Sequence, residues 1–228
     1  MNGSAASAVL VVIPAYNEAD SIGAVVTTAR RYLPVLVVDD GSTDATATVA
    51  AAAGARVLRQ QPNQGKGAAL RAGFRHALAA GYEAIITLDA DGQHDPDEIP
   101  RFLDCYATTR ADLIIGARAF NRMPPVRRLA NTLGRLSFSW AVGRPIPDNQ
   151  SGYRLLARRL LERALTGRET GFEFEVEVIV LCLEAGYRLE WVPIRTLYAG
   201  ETSHIRPLHH VIHFTRLVWQ TRRRLHRA

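Results

Sequence analysis

Short apolar runs alternate with amphipathic stretches along most of the chain. Ala8–Ile13, Val35–Val38, Arg56–Leu58, Ala84–Leu88 and Asp112–Gly116 are brief and mostly rich in β-branched residues, and Pro, Gly or Asp punctuates most of their ends. Runs of this kind are strands buried on both faces of a parallel sheet. Between them lie expected helices at Glu18–Tyr32, Ala45–Ala53, Ala68–Ala80 and Asp97–Arg110, and the third places Leu70, Phe74, Ala77 and Leu78 on one core-facing side. Strand and helix in regular alternation predict an α/β fold with a doubly wound, mostly parallel sheet, Asp112–Gly116 being its fifth parallel strand. Pro14 is expected to end the first strand and Asn17 to cap the helix after it, with Glu18 and Asp20 in the first turn. Further on, Gly171–Glu175 leads into an expected helix that runs to about Ala185, in which alternation does not decide whether Glu173, Glu175 or Glu177 faces the strand ends, and then comes a strand Arg188–Val192 closed by Pro193.

Composition narrows the picture. At 228 residues and 47% apolar content the chain fits one domain, residues 1–207, followed by a basic amphipathic helix over 208–228. Met1–Ser7 reads as a loose end. The net charge of +6 and pI near 9.8 point to acidic partners: nucleic acid, a phosphorylated substrate or an anionic membrane face. Of 28 basic residues all but Lys66 are arginine, the better fork for phosphate. No nucleic-acid-binding motif accompanies the charge. Cys105 and Cys182 fall in helical stretches without a C-x-x-C pattern and read as reduced, buried thiols of a cytoplasmic protein. No signal peptide is evident, and no run reaches the ~18 apolar residues of a membrane span. Any lipid is therefore expected to be reached from the surface.

Candidate chemistry collects where the apolar runs stop. Ala84–Leu88 ends in Asp89-Ala90-Asp91-Gly92-Gln93-His94-Asp95, and ligands of open α/β sheets sit at such carboxyl ends. Asp89 and Asp91, two apart, are placed to share a divalent ion with Gln93; oxygen donors select Mg²⁺ or Mn²⁺ and leave positions for substrate phosphates. Turn hydrogen bonding is the structural alternative for Asp91 and Asp95, and helix starting for Asp97 and Glu98. At the first strand end, Pro14, Ala15, Tyr16 and Glu18 are placed so that the Tyr16 ring lies against a nucleotide base. At the second, Asp40 precedes a Ser42-Thr43-Asp44 cap. Asn63–Gly67 carries Lys66 between two glycines, set to meet a nucleotide phosphate but without P-loop spacing. Arg118 leaves the fifth strand at the edge that carries Asp91.

Together DADGQHDP, VVIPAYNEADSI, VVDDGSTDAT, the Asn-x-Gly-Lys-Gly loop and DNQSGYRLL resemble the family 2 glycosyltransferases of the GT-A fold, above all the polyprenyl-phosphate (dolichyl-phosphate) mannose synthases and their glucose-transferring relatives. The resemblance spans roughly Val9–Pro207. It implies that Pro14, Ala15, Tyr16, Glu18 and Asp40 hold the nucleotide and that Asp89 and Ala90 face the donor sugar or ribose. Asp91 and Gln93 then ligate the ion, and Arg118, with Arg128 or Arg135, holds the acceptor phosphate. Asp148 lines the acceptor side. It is the candidate general base for a hydroxyl acceptor, and a positioning or loop-capping residue for a phosphate, which needs no base. The closing loop Tyr198–Pro207 departs from the family in lacking a lysine, so His204 or Arg206 is the expected substitute.

Asn121–Arg144 mixes Arg127, Arg128, Arg135 and Arg144 with Leu133, Leu136, Phe138 and Trp140, and the acid-free 208–228 tail has an apolar side with Trp219. Both suit an anionic membrane surface, and both also suit packing on the domain with a solvated basic face. The resulting expectation is metal-dependent, inverting hexose transfer from a GDP-mannose or UDP-glucose type donor to a polyprenyl phosphate, peripheral at the inner membrane face, with a possible membrane-protein subunit. A hydroxyl-acceptor transferase and a non-catalytic nucleotide-sugar binding protein are the alternatives.

Overall fold

A computed structural model describes residues 8–118, 125–167, 173–195 and 218–225, without the side chains of 125–131 and 173. All six expected strands form: β1 (Val9–Ala15), β2 (Val35–Asp39), β3 (Arg56–Arg59), β4 (Ala84–Thr87), β5 (Leu113–Arg118) and the last, at Leu189–Ile194. A further strand, β6 (Arg154–Ala157), makes that last one β7. The sheet order is β3-β2-β1-β4-β6-β5-β7, and only β6 runs antiparallel to its neighbours. Sequence pattern does not reveal β6, because Arg-Leu-Leu-Ala is equally at home in a helix. Alternation decides it in three dimensions: Leu155 joins the apolar layer on one face of the sheet and Leu156 the layer on the other. Leu10 and Val12 divide from Val11 and Ile13 in the same way.

The two prolines expected to end strands lie inside them. Alternate β1 amides point to β2 and β4, and β4 pairs only as far as Val12, so the N–H that Pro14 lacks falls beyond that ladder. Pro193 sits in β7, which pairs only with β5 at the edge of the sheet.

Helices α1 (Ala19–Ala29), α2 (Thr46–Ala52), α3 (Lys66–Ala79) and α4 (Ile99–Thr109) fill the expected crossovers. Asn17 does not cap α1. It has φ 55°, and its side-chain oxygen accepts from the Thr43 amide instead. The start of α1 is satisfied from the neighbouring loop, with Ser42, Thr46 and Asp44 accepting from the amides of Asn17, Glu18 and Ala19. A single 3₁₀ turn, Pro96–Glu98, precedes α4, and Asp95 accepts from the Asp97 amide at 3.0 Å. After β5 come α5 (Pro125–Val142), then α6 (Arg158–Ala164) and α7 (Glu173–Glu184) on either side of the 168–172 stretch. Residues 218–225 form a last helix, α8, which buries Val218 and Thr221 and lays Arg222 over the Trp140 ring of α5 at 4.2 Å. Among the described residues no helix is long and apolar enough to cross a membrane.

Helix α3 approaches the sheet so closely that a β-carbon on Gly73 would stand 2.4 Å from a Val12 methyl. Gly73→Ala therefore forces α3 off the sheet and should cost about 1–3 kcal/mol. The check is a thermal melt, with Tm expected to fall by several degrees although alanine is the better helix former.

Candidate active site

The reversed strand β6 explains how the site is assembled. Because it runs against β4, its first residue, Arg154, pairs with Thr87 at the end of β4. The turn before it, Asp148–Tyr153, is thereby delivered to the carboxyl edge of the parallel strands, beside Asp89. The Thr87 hydroxyl fixes the junction by donating to the Gly152 carbonyl at 2.6 Å.

At the centre is Asp89. Its Oδ1 lies 2.6 Å from Lys66 Nζ, and the same ammonium lies 2.7 Å from Glu175 Oε1 on α7. Burial alone would push the Asp89 carboxyl up, but Lys66 beside it, helped by Arg118, holds it down to about 2. Burial pulls the Lys66 ammonium down, and the two carboxylates more than offset this and leave it raised. His94 is buried behind Asp89. Its Nδ1 accepts from the Asp89 amide at 3.4 Å, and burial lowers its pKa, so the ring is neutral. Asp91 accepts from the Gln93 amide at 2.9 Å, and its carboxyl is raised by burial and by the charge of Asp89.

Arg118 and Asp148 make a two-pronged pair, Nε to Oδ2 at 2.7 Å and Nη2 to Oδ1 at 3.0 Å. The Gln150 amide adds a third donor to Asp148, which is buried. Burial lowers the Arg118 pKa, and the bond to Asp148 more than reverses this. Beneath them Arg154 is buried, and its guanidinium donates to the carbonyls of Ser151, Asn149 and Glu175.

The residues expected to hold the nucleotide gather at the ends of β1 and β2. Pro14 and Ala15 lie in register with Val38 and Asp39, and the Tyr16 ring is 48% exposed just beyond. Glu18 accepts from the Ser21 hydroxyl at 3.1 Å and starts α1. Asp40 accepts from the amides of Gln64 and Gly65 at 2.9 and 2.7 Å, so its carboxylate shapes the loop that carries Lys66. Ala90 is buried between the two aspartates. Arg206, His204 and the rest of 196–217 lie outside the described residues, as do the side chains of Arg127 and Arg128. Sequence pattern gives no individual role to three members: Arg154, which closes the Asp148–Arg154 motif but opens an unseen strand, His94, and Glu175, which alternation could not separate from Glu173 or Glu177. Glu177 pairs with Arg71 at 3.5 Å.

The donor chemistry suits a hard divalent ion. Asp89 and Asp91 offer carboxylate oxygens two residues apart, and Gln93 offers an amide oxygen by composition. Among the described residues no three His, Cys, Asp or Glu side chains converge as a cage. One or two carboxylates with room for phosphate oxygens is how Mg²⁺ and Mn²⁺ are commonly held in nucleotide sites.

A mostly parallel sheet with an Asp-x-Asp at its central strand end, an exposed aromatic ring at the first strand end and a lysine-bearing glycine loop between them defines a class, the GT-A nucleotide-sugar transferases. The chain belongs to glycosyltransferase family 2: the profile "Glycosyl transferase family 2" matches residues 10–165. It is 35% identical over 204 residues to undecaprenyl-phosphate mannosyltransferase of Micrococcus luteus, covering 82% of each chain. To polyprenol monophosphomannose synthase of Mycolicibacterium smegmatis it is 36% identical over 205 residues, 81% of this chain and 76% of that one. Glucosyl-3-phosphoglycerate synthase from Mycobacterium tuberculosis, solved with Mn²⁺, UDP-glucose and phosphoglyceric acid, superposes with a TM-score of 0.74 at 21% identity, covering 97% of this chain and 80% of that one. At that identity the likeness speaks for the fold. The chain is a glycosyltransferase that uses a nucleotide sugar.

Gly152 lies against the centre of the site, and a β-carbon there would stand 2.6 and 2.7 Å from the Asp89 carboxylate oxygens. Gly152→Ala should therefore turn Asp89 away from Lys66 and Asp91. The expected result is a loss of about tenfold or more in kcat/KM with little change in Tm, read from initial rates at saturating metal.

Proposed function

We propose that the chain transfers a hexose, mannose or glucose, with inversion, from a GDP-mannose or UDP-glucose type donor to a polyprenyl phosphate at the cytoplasmic face of a membrane. The observation that carries this reading is the Arg118–Asp148 pair. Both Asp148 oxygens already accept from Arg118 and from the Gln150 amide, so the carboxylate is poorly placed to take a proton from an incoming hydroxyl. A phosphate acceptor needs no such base, because its oxygen is anionic at neutral pH. What it needs is a fixed cation, and Asp148 holds the Arg118 fork in one orientation.

In this reading the acceptor oxygen attacks the anomeric carbon from the Arg118 side as the bond to the nucleoside diphosphate breaks, so no covalent enzyme intermediate forms. Tyr16 and the Asp40-shaped loop place the nucleotide, Asp89 faces the sugar or ribose, and Asp89 and Asp91 with Gln93 would hold Mg²⁺ or Mn²⁺. A bound divalent ion supplies Lewis-acid neutralisation of the departing diphosphate. Alignment and charge stabilisation are then the protein's main contributions. The polyprenyl phosphates in the names of the two mannosyl-transferring relatives support the acceptor class. Residues 1–207 form the catalytic unit and 208–228 an anchoring segment. Support for a membrane face comes from α5 and α8, where Leu133, Leu136, Trp140 and Trp219 are exposed among arginines. Rings and acyl-like side chains beside Arg are the composition of an interfacial surface.

The direct test incubates purified protein with Mn²⁺ or Mg²⁺, labelled GDP- and UDP-sugars and a short polyprenyl phosphate, and counts label in the organic phase. Metal-dependent transfer from one donor is expected. Asp148→Asn should raise the acceptor KM by about tenfold and lower kcat less, whereas near-complete loss of turnover with donor binding intact would establish a hydroxyl acceptor instead. For the membrane, replacing Trp140 and Trp219 together by Ser should reduce flotation with anionic liposomes several-fold and leave donor binding intact. Unchanged flotation would assign those rings another partner.

A further inference from the structure

Asp89 has two cationic claimants. The ammonium of Lys66 holds its Oδ1 at 2.6 Å, yet this carboxylate and its neighbour Asp91 are also the donor set suited to a divalent ion. Two cations a few ångströms apart repel each other strongly in a partly buried site, so a single carboxylate cannot serve both at full strength. Lys66 has a second partner that is fixed. Glu175 lies on α7 with its side chain 8% exposed, 2.7 Å from the ammonium, and its own carbonyl is gripped by buried Arg154. The ammonium can therefore leave Asp89 without becoming an unpaired buried charge.

The residue type fits the same task. In a chain whose 28 basic residues are otherwise all arginine, this one position is lysine. Arginine is a planar fork that locks onto a carboxylate, as Arg118 does on Asp148, whereas lysine is a point charge on a flexible stem that can change partners. Lys66 is also the first residue of α3, where the helix amides favour an arriving anion, and Gly65 before it has φ 91°.

We propose that Lys66 is a transferable counter-ion. Anchored by Glu175, it neutralises Asp89 before the donor arrives, and passes to the donor diphosphate when a divalent ion takes over Asp89. Glu175 is thus a positioning residue that acts through Lys66. This rests on the nucleotide-sugar transferase reading above. It explains how a site whose Asp89 and Glu175 carboxylates share one ammonium stays ordered before metal and donor bind, and it couples their arrival, because each removes the obstacle to the other.

The test measures two affinities whose changes have opposite signs. Mn²⁺ binding in the absence of nucleotide is read from the free-ion electron paramagnetic resonance signal, and GDP or UDP binding at saturating Mn²⁺ by calorimetry. Lys66→Met should tighten Mn²⁺ alone by about tenfold and weaken the nucleoside diphosphate by about tenfold. A lysine that only holds the fold together predicts that both weaken, and one that only contacts phosphate predicts unchanged Mn²⁺ binding; either result overturns the proposal. Glu175→Gln provides the second variant. With its anchor neutral, the ammonium falls wholly onto Asp89, and Mn²⁺ alone should bind several-fold more weakly; unchanged or tighter binding overturns the role of Glu175. A wild-type protein that binds Mn²⁺ but neither GDP nor UDP overturns the transferase reading, and with it the hand-over of Lys66 to a diphosphate. That result is distinct from a Lys66→Met variant whose Mn²⁺ affinity fails to rise.

Discussion

The constraint on which the site depends is charge neutralisation at low exposure. Asp89, Glu175 and Asp148 bring three carboxylates to the carboxyl edge of the sheet, and Lys66, Arg118 and Arg154 bring three cations. Arg118 and Asp148 have each other as ion-pair partner, so removing either leaves a largely buried charge without its counterpart, a loss of several kcal/mol in typical cases. The six come from β4, α7, the turn before β6, α3, β5 and β6, so the network also ties the late elements of the chain to the early ones.

Topology makes that convergence possible. Four of the strands, β3-β2-β1-β4, are an ordinary parallel unit that would by itself offer a nucleotide site at its carboxyl ends. Inserting β6 between β4 and β5 turns one connection around, so a strand's entry rather than its exit reaches the same edge. The turn carrying Asp148, Ser151 and Gly152 then stands against Asp89 on one side and Arg118 on the other. Gly152 is required there because the Asp89 carboxylate occupies the volume of a side chain. The Asp89–Lys66 half and the Arg118–Asp148 half of the site thus meet at a single antiparallel strand four residues long.

What was legible in the sequence follows from the same arrangement. The six strands whose apolar runs stand alone, and the helices between most of them, are periodic and local, so pattern finds them to within a few residues. Asp89, Asp91, Arg118 and Lys66 could be singled out from sequence because each terminates or follows such a run. Glu175 could not, since three glutamates alternate along α7 and only packing decides that one meets Lys66 while Glu177 meets Arg71. Arg154 was hidden in a strand whose pairing is entirely nonlocal. Pro14 and Pro193 misled for a related reason: proline is costly only where a neighbouring strand needs the missing N–H, and whether one is there is a fact of the sheet. Asn17 looked like a cap, yet the start of α1 is capped from the next loop by Ser42, Thr46 and Asp44.

Buried ion networks add little net stability, because desolvation offsets most of their Coulombic gain. The fold here rests on two apolar layers, one on each face of the sheet, which between them account for nearly all the buried hydrophobic side chains among the described residues. The polar edge is accordingly better understood as preorganisation than as cement. In the proposed reaction a phosphate and a sugar diphosphate carry several negative charges into one cleft, and in water their mutual repulsion and solvation would oppose reaction. Cations already oriented by fixed carboxylates meet that charge without reorganising at the moment of transfer. Arginine serves where the partner stays the same, as with Arg118 on Asp148, and the chain keeps its one lysine where the partner has to change.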